Sequence, residues 1–302
     1  MKLRIFPICA SALVVGPLLI GSGIQPVIAA QAVSNPAATQ TVSHPVAALR
    51  IRGLVIGQGD PKTIVPTTGS TSEEVLQQAR QIAENPNAEV IEYRIDYLDF
   101  GQDADKVAAL GKQIAGMLGG KPMILTFRTK PEGGSKAISD DDYGKLYSAL
   151  IKAGFTDLLD VEMFRDEKVV TRTVSEAHKA GIKVIMSSHD FDKTPPTQEI
   201  VSRLRRQQDL GADILKIAVM PHDSGDVLKL LDATWQMRSR YTRLPMLTMS
   251  MGGIGLVSRM SGEVFGSDLT FGMIGEASAP GPIDIGKLRQ VLDTIHGSVA
   301  AH

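Results

Sequence analysis

Short apolar segments alternate along the chain with longer segments in which apolar residues recur with a helical period. The short segments are rich in Val, Ile and Leu, which is typical of strands buried on both faces. Eight of them follow one another, at residues 62–68, 89–96, 123–128, 158–163, 183–190, 214–219, 245–251 and 268–274. Because helical segments separate them, the pattern predicts a parallel sheet covered by helices.

Two of the helical segments also carry signals at their ends. Thr71 and Glu74 have the spacing of a capping box, which predicts the start of the first helix. Residues 139–153 place their apolar side chains on one face, and Gly154 follows directly, as is usual where a helix ends.

Eight strand–helix units favour one architecture over another. A closed (β/α)8 TIM barrel needs about 250 residues, which fits this length. An open, doubly wound sheet is the alternative, but no glycine-rich phosphate loop follows the first strand. Residues 49–57 precede the first unit and predict a strand or hairpin that closes the bottom of the barrel. We therefore expect residues 49–302 to form a single catalytic (β/α)8 domain.

The first thirty residues differ from the rest of the chain. Lys2 and Arg4 precede an apolar stretch that ends in small residues, which is the layout of a secretory signal peptide (1–30) with cleavage near Ala30 or Ala32. A transmembrane anchor is the alternative, but prolines and glycines interrupt the stretch. We expect an exported protein, periplasmic or secreted, with no stable membrane anchor.

Composition adds limits on partners. Residues 31–48 are small and proline-spaced and predict a flexible lead-in. Loss of residues 1–30 removes two of the 32 basic residues, leaving 30 against 33 acidic ones, and it removes Cys9, the only cysteine. The mature chain therefore has no disulfide and a slightly negative charge. With no basic tract, the sequence argues against nucleic acid as a partner.

Polar residues collect where the predicted strands end. In a (β/α)8 barrel the carboxyl ends of the strands and the loops after them build the active site. These positions hold Glu92, Arg94, Asp96, Arg128, Glu132, Asp160, Glu162, His189, Asp190, Lys216, Met249 and Met251. The alternating charges of residues 92–96 are compatible with either a structural ion-pair network or ligand binding, and for Asp160 and Glu162 we favour the structural interpretation.

Lys216 is the least expected of these residues, because it lies between Ile214 and Ile217 in the run "ILKIAV". Burying an ammonium costs several kcal/mol unless it is paired or loses its proton. We expect an amine that gives up its proton near neutral pH. Such an amine is a nucleophile toward carbonyl carbon and can form a Schiff base.

Schiff-base chemistry also needs a group that moves protons. His189, on the strand immediately before Lys216, can do this at neutral pH. A carboxylate that sets the tautomer and orientation of the imidazole would complete the set, and Glu132 is a candidate. A lone histidine at a strand end is, however, more often a hydrogen-bonded core residue.

Seven segments together resemble one family. They are "EYRID" (92–96), "TFRTKPEGG" (126–134), "MSSHDF" (186–191), "KIAVMP" (216–221), "TMSMGGIGLVSR" (248–259), "EVFGSDLTFG" (263–272) and "ASAPG" (277–281). In this order, over residues 51–296, they are similar to type I 3-dehydroquinate dehydratases. Each segment alone is weak, but the set is specific.

The resemblance implies a (β/α)8 barrel, a homodimer, and elimination of water from 3-dehydroquinate to give 3-dehydroshikimate, in the shikimate or quinate pathway, with no metal or organic cofactor. By position, Lys216 matches the lysine that forms an imine with the C3 ketone. His189 matches the general base that takes a proton from C2 and later helps the C1 hydroxyl leave, and Glu132 matches the acid that orients it.

The resemblance also implies the residues that bind the substrate. Glu92, Arg94 and Arg128 match substrate contacts, and Arg259 matches the arginine that holds the substrate carboxylate. Met249 matches an apolar wall of the pocket, and Ser278 matches a hydroxyl in a loop that closes over the ligand.

One position departs from the family. Pro282 stands where the family usually carries a glutamine that contacts the substrate from the closing loop. Proline offers no side-chain donor and fixes φ. The lost hydrogen bond is worth about 0.5–1.5 kcal/mol, so we expect a weaker but active enzyme.

Two other functions stay open at this point. Another imine-forming barrel enzyme, a class I aldolase, would also need a lysine on a strand. An exported binding protein on an inactive barrel would fit Pro282, although Lys216, His189 and Glu132 are all present. The signal peptide further suggests a scavenging enzyme that acts on external dehydroquinate.

Overall fold

The part of the chain that the computed structural model describes consists of residues 45–275, 281 and 283–301. The predicted signal peptide (1–30) and most of the predicted lead-in (31–48) lie outside these residues. Ser278 and Pro282 also lie outside them. The predictions made for these segments and residues therefore stay predictions.

A short hairpin leads into one large parallel sheet. The hairpin pairs β1 (Leu49–Ile51) with β2 (Leu54–Ile56) in antiparallel fashion. The sheet consists of β3 (Lys62–Pro66), β4 (Val90–Arg94), β5 (Met123–Thr126), β6 (Leu158–Glu162), β7 (Lys183–Asp190), β8 (Ile214–Val219), β9 (Met246–Ser250) and β10 (Leu269–Phe271). Each of these eight strands overlaps one of the eight predicted segments, so the predicted strands are confirmed.

The sheet closes on itself. Strands β3 to β9 pair in chain order, and β10 pairs with β3. Strands β9 and β10 are then joined by hydrogen bonds at their amino ends: Asp268 N donates to Met246 O (2.7 Å), and Met246 N donates to the Asp268 carboxylate (2.7 Å). Thr248 N donates to Ser267 Oγ (3.0 Å). The predicted (β/α)8 TIM barrel is confirmed, and the open sheet is excluded.

Helices connect successive strands around the barrel. They are α1 (Ser72–Glu84), α2 (Ala104–Met117), α3 (Asp140–Ala153), α4 (Glu167–Lys179), α5 (Thr197–Asp209), α6 (Ser224–Gln236), α7 (Leu256–Met260), α8 (Gly262–Phe265) and α9 (Ile285–Val299). A 3-10 turn covers Lys130–Glu132, and a π turn covers Met237–Tyr241. Within the described ranges, no helix is both long enough and apolar enough to span a membrane.

The predicted helix ends are found in the structure. At the start of α1, Thr71 Oγ1 accepts from Glu74 N, and the Glu74 carboxylate accepts from Thr71 N (3.2 Å). Helix α3 ends at Gly154, whose φ of 68° is left-handed and favours glycine. The apolar face of α3 is buried against the sheet through Tyr143, Leu146, Tyr147 and Leu150.

The amino-terminal half of the barrel interior is apolar. Its side chains come from the first residues of the strands: Ile64, Val90, Ile124, Leu158, Ile185, Ile214, Leu247 and Leu269. Ile51 and Ile56 of the hairpin pack against this cluster. The hairpin therefore closes the bottom of the barrel, as the sequence predicts.

An ion pair fixes the hairpin to the barrel. Arg52, in the turn between β1 and β2, has a left-handed φ of 52°. Its Nε lies 2.8 Å from Oδ1 and 2.9 Å from Oδ2 of Asp157, which directly precedes β6. Asp157 Oδ2 also accepts from Met123 N (2.9 Å). One carboxylate thus joins the hairpin turn to the amino end of β5.

We predict that Ile56→Ala lowers the free energy of unfolding by about 2–4 kcal/mol, because it opens a cavity between the hairpin and the barrel. Ile56 is 0% exposed. Urea denaturation followed by circular dichroism measures the change. Leu228→Ala, at a side chain that is 65% exposed, is the control and should stay within about 0.5 kcal/mol. Equal small effects would contradict a structural role for the hairpin.

Candidate active site

A pocket opens at the carboxyl-terminal end of the barrel, opposite the hairpin. Its walls come from the ends of the strands and from the loops that follow them. They consist of Glu92, Arg94, Arg128, Glu132, Gly133, His189, Phe191, Lys216, Ala218, Met249, Met251, Arg259, Phe271, Gly272 and Met273. The family resemblance implies nine catalytic or substrate-binding residues, and the structure brings eight of them together in this pocket. The ninth, Ser278, lies outside the described residues.

Lys216 lies at the floor of this pocket, on β8. It is 3% exposed, and its Nζ lies 2.8 Å from Asp160 Oδ2 and 3.6 Å from Glu92 Oε1. The Phe271 ring centroid lies 5.0 Å from the same nitrogen. The buried amine is therefore paired with a carboxylate. Asp160 is thus part of the site and not only a structural residue of the barrel.

The main chain of Lys216 is held from outside the barrel. The Gln207 side chain of α5 accepts from Lys216 N (2.9 Å) and donates to Lys216 O (2.8 Å). This carboxamide is fully buried. Both of its hydrogen bonds to main-chain atoms reach the same residue, so the Cα of the lysine is fixed relative to the outer helices.

His189 lies beside the lysine on the neighbouring strand. In the register of β7 and β8, Ser187 is opposite Lys216 and His189 is opposite Ala218. The Cα of His189 therefore lies two residues closer to the carboxyl-terminal end of the sheet than the Cα of Lys216. Glu132 Oε2 lies 2.8 Å from His189 Nδ1. This contact leaves Nε2 as the ring nitrogen that can act on a ligand.

The loop that carries Glu132 is tightly closed. Gly133 follows with a left-handed φ of 82°, and Gly134 lies so close to Arg128 O that a Cβ atom there would collide with it. The ring of Phe191 fills the space above Gly133 and stacks beside His189. Glu132 Oε1 is buried and has no hydrogen-bond partner among the described residues, so it can accept from a ligand.

The protonation of this pair follows from its surroundings. Burial, together with the charge of Glu162, raises the pKa of Glu132 well above its ordinary value. Burial, together with the cationic Arg128 and Lys216, lowers the pKa of His189 well below its ordinary value. His189 is therefore a neutral imidazole at neutral pH, which is the state that a general base needs.

Arg128 joins the carboxylates beneath the pocket. Its Nη2 lies 2.7 Å from Asp160 Oδ1, and its Nη1 lies 2.9 Å from Glu162 Oε1 and 3.5 Å from Glu132 Oε2. Nη1 also donates to Ser187 Oγ (3.0 Å). Arg128 lines the pocket as predicted, but its charge already serves three acids, and its contact with a substrate stays a prediction.

The remaining candidate residues line the walls. Arg94 and Glu92 project from β4, and Glu92 Oε1 accepts from Thr126 Oγ1 (3.0 Å). Arg259, in α7, is buried, and burial lowers its pKa to about 10. Its Nη1 lies 3.4 Å from Met249 Sδ. Arg259 thus brings a cation to an apolar wall, an arrangement that suits a carboxylate.

The chain is similar to proteins of one family over most of its length. A family model described as type I 3-dehydroquinase matches residues 63–299. The chain belongs to the type I 3-dehydroquinase family. It is 49% identical over 245 residues to the catabolic 3-dehydroquinate dehydratase of Acinetobacter baylyi, a match that covers 81% of this chain and 90% of the relative. It is 46% identical over 251 residues to the 3-dehydroquinate dehydratase of Syntrophotalea carbinolica, with 83% and 99% covered.

Solved structures of this family have the same fold. The crystal structure of the type I 3-dehydroquinate dehydratase of Clostridium difficile, with covalently modified comenic acid, matches with a TM-score of 0.81 and 41% identity and covers 84% of this chain and 99% of that one. The structure of 3-dehydroquinate dehydratase from Enterococcus faecalis matches with a TM-score of 0.77 and 43% identity, with 82% and 98% covered.

Three large apolar side chains line the pocket although the sequence did not predict them. They are Phe191, Phe271 and Met273. Phe271 and Met273 alternate at the end of the last strand segment, and this two-residue spacing was a usable signal. No group of three or more side chains of the types that bind metals lies together in the described part of the chain.

We predict that His189 stays neutral down to a pH below 6.5, the ordinary histidine value. Because its pKa is lowered, the ring gains its proton only after the pH has fallen past that value. Histidine-selective 15N NMR across a pH titration measures this, with His189→Gln used to assign the signal. Protonation of His189 at or above pH 6.5 would contradict the burial argument.

Proposed function

We propose that this chain, a lyase of the type I 3-dehydroquinase family, removes water from 3-dehydroquinate to give 3-dehydroshikimate through an imine on Lys216. The main observation behind the proposal is that a buried lysine and a neutral histidine lie on adjacent strands and line the same pocket. The names of the relatives supply the substrate. No step in this proposal needs a metal or an organic cofactor.

The first step forms a bond between Lys216 Nζ and the C3 carbonyl carbon of the substrate. The ammonium must first give up a proton, and Asp160 and Glu92 are the carboxylates within reach of it. The carboxylate that accepted this proton then returns it to the hydroxyl of the carbinolamine, which leaves as water and gives a protonated imine. Its positive charge lies at the position that the ammonium occupied, so Asp160 serves as counter-ion both before and after the step.

The second step breaks the C2–H bond. The protonated imine withdraws electrons from C3, which makes the C2 proton acidic, and His189 Nε2 accepts it. The electron pair returns from the enamine and expels the C1 hydroxyl, to which His189 gives back the proton, so that water leaves. Hydrolysis of the imine then frees 3-dehydroshikimate and Lys216. The balance is one 3-dehydroquinate to one 3-dehydroshikimate and one water.

Glu132 governs which nitrogen of His189 does this work. When Glu132 accepts from the Nδ1–H group, Nε2 presents its lone pair to the pocket. The imidazolium that forms after proton transfer lies against the same carboxyl group, and its positive charge favours the ionised form of Glu132, which stabilises it in return. A carboxylate at this point therefore favours the transition state of proton transfer more than the resting state.

Substrate binding follows from the wall residues. We propose that Arg259 holds the substrate carboxylate through its guanidinium group, with Met249 against the ring carbons. Glu92, Arg94 and Arg128 would contact the hydroxyl groups. Ser278, which lies outside the described residues, would contact the ligand from the closing loop.

We also propose export and a catabolic role. The support for export is the layout of residues 1–30, and the relative from Acinetobacter baylyi is named as catabolic. An exported enzyme would act on dehydroquinate outside the cytoplasm. A homodimer is proposed on the family resemblance.

We predict that Lys216→Met abolishes both turnover and imine trapping. With 3-dehydroquinate, the wild-type chain should raise the ultraviolet absorbance of the conjugated product, and sodium borohydride should leave a reduced adduct on Lys216 detectable by mass. His189→Gln is the matched variant: it should still form the adduct but lose about 10²–10⁴-fold in kcat. Product formation by Lys216→Met would overturn the imine mechanism.

We predict that the native protein, recovered from cells that express the full sequence, begins near residue 31 or 33. Fractionation followed by intact-mass analysis gives both location and first residue. A chain that retains residues 1–30 in the cytosolic fraction would contradict the proposed export. The same preparation assayed for dehydroquinate turnover keeps this result separate from the enzymatic proposal.

A further inference from the structure

Asp96 is a buried carboxylate just beyond the end of β4, and it does not line the pocket. It is 0% exposed. Four hydrogen bonds reach its two oxygens. Oδ1 accepts from Arg94 Nε (2.8 Å) and Arg128 N (3.2 Å), and Oδ2 accepts from Arg94 Nη2 (2.9 Å) and Ser135 N (3.1 Å). Each oxygen therefore binds one guanidinium nitrogen and one main-chain nitrogen.

The two main-chain donors are the two ends of the loop that carries Glu132. Within that loop, Lys130 N donates to Lys136 O (2.8 Å), so its two sides run together. Lys136 Nζ returns to the carbonyl oxygens of Asp96 and Leu98. The position of Glu132, and with it the contact to His189, thus depends on the residues around Asp96.

The guanidinium group of Arg94 is held by the same carboxylate. Both of its contacts to Asp96 are charge-assisted and bidentate, which fixes the plane of the group. The ring of Tyr97 lies under the guanidinium carbon at 4.6 Å. Arg94 therefore reaches the pocket in one orientation, determined by Asp96 and Tyr97.

The charge of Asp96 is maintained in spite of its burial. Burial on its own would raise the pKa of this carboxyl, but the hydrogen bonds and charge of Arg94, with the two main-chain donors, outweigh burial and lower it. The four hydrogen bonds therefore meet a carboxylate and not a carboxylic acid. A neutral group of the same shape could not accept all four.

We propose that Asp96 is a positioning residue that aligns the substrate-binding Arg94 and the histidine-orienting Glu132 through one shared carboxylate. This inference rests on the proposed function, because its effect is measured in that reaction. Asp96 itself touches neither substrate nor reacting atoms. It acts by holding two groups, on different parts of the chain, at a fixed separation.

The test is Asp96→Asn. The amide keeps the shape, but its NH2 group faces two donors and can accept from neither of them. Loosening of both groups should lower kcat/KM about 100-fold, with KM raised through Arg94 and kcat lowered through Glu132. Water admitted around His189 should relieve the burial that lowers its pKa. The acid limb of kcat/KM should therefore move to higher pH.

The matched control is Asp157→Asn at the opposite end of the barrel. Asp157 likewise accepts from an arginine, Arg52, and from a main-chain nitrogen, Met123 N. Its loss should lower the melting temperature but leave kcat, KM and the acid limb of the pH profile unchanged. If Asp96→Asn differs from wild type only in stability, as the control does, the proposal is overturned.

A second variant serves if Asp96→Asn does not fold. Lys136→Met removes the ties from the loop to the carbonyl oxygens of Asp96 and Leu98 and leaves Arg94 in place. It should lower kcat and move the acid limb of kcat/KM to higher pH, with KM unchanged. An unaltered pH profile would count against the proposal. Wild-type turnover in the same assay separates either failure from a failure of the proposed function.

Discussion

The structure depends on the pairing of buried charges at the carboxyl-terminal end of the barrel. Arg128 alone contacts Asp160, Glu162 and Glu132 within 3.5 Å. Removal of one member of such a group leaves an uncompensated charge in a medium of low polarity, which costs several kcal/mol. The site therefore keeps its geometry, because displacement of any one of these charged side chains is energetically unfavourable. Rigidity and reactivity here have the same electrostatic origin.

That constraint also explains how a lysine can be both buried and reactive. Asp160 Oδ2 lies 2.8 Å from Lys216 Nζ, and the same carboxylate is bound by Arg128 and Ser187. Its position does not depend on the lysine. When the amine becomes a protonated imine, the counter-ion is already in place and needs no reorganisation, which is the condition for electrostatic catalysis.

The barrel separates stability from chemistry along its axis. Apolar side chains of the hairpin and of the first residues of the strands fill the lower, amino-terminal half of the interior. An ion pair between Arg52 Nε and Asp157 holds the hairpin in place there. The upper half holds almost all the buried charges. Apolar packing in the lower half of the interior and between the strands and the outer helices forms the core, so the upper half of the interior can keep buried polar groups. Burial of charge at one end thus requires tight packing at the other.

The sequence predicts local features of secondary structure, but it does not predict which buried charges on different strands contact each other. Periodicity and contacts within a few residues determine the local features, which the sequence therefore predicts. These are the eight strands, the hairpin, the capping box at Thr71 and the end of α3 at Gly154. The partners of buried charges depend on register between strands. Asp160 lies 56 positions from Lys216, and periodicity along the chain carries no information on a contact over that separation.

The same reasoning explains the ambiguity of residues 92–96. Glu92 and Arg94 face the pocket, whereas Asp96, two positions further, turns to the loop after the next strand and reaches Ser135, 39 positions away. Alternation along a strand places all three on one side but does not tell which meets ligand and which meets main chain. The end of the strand decides this, because the chain leaves the sheet after Arg94. Beyond that point contacts with the nearest loop, and no longer the pleat of the strand, determine the direction of each side chain.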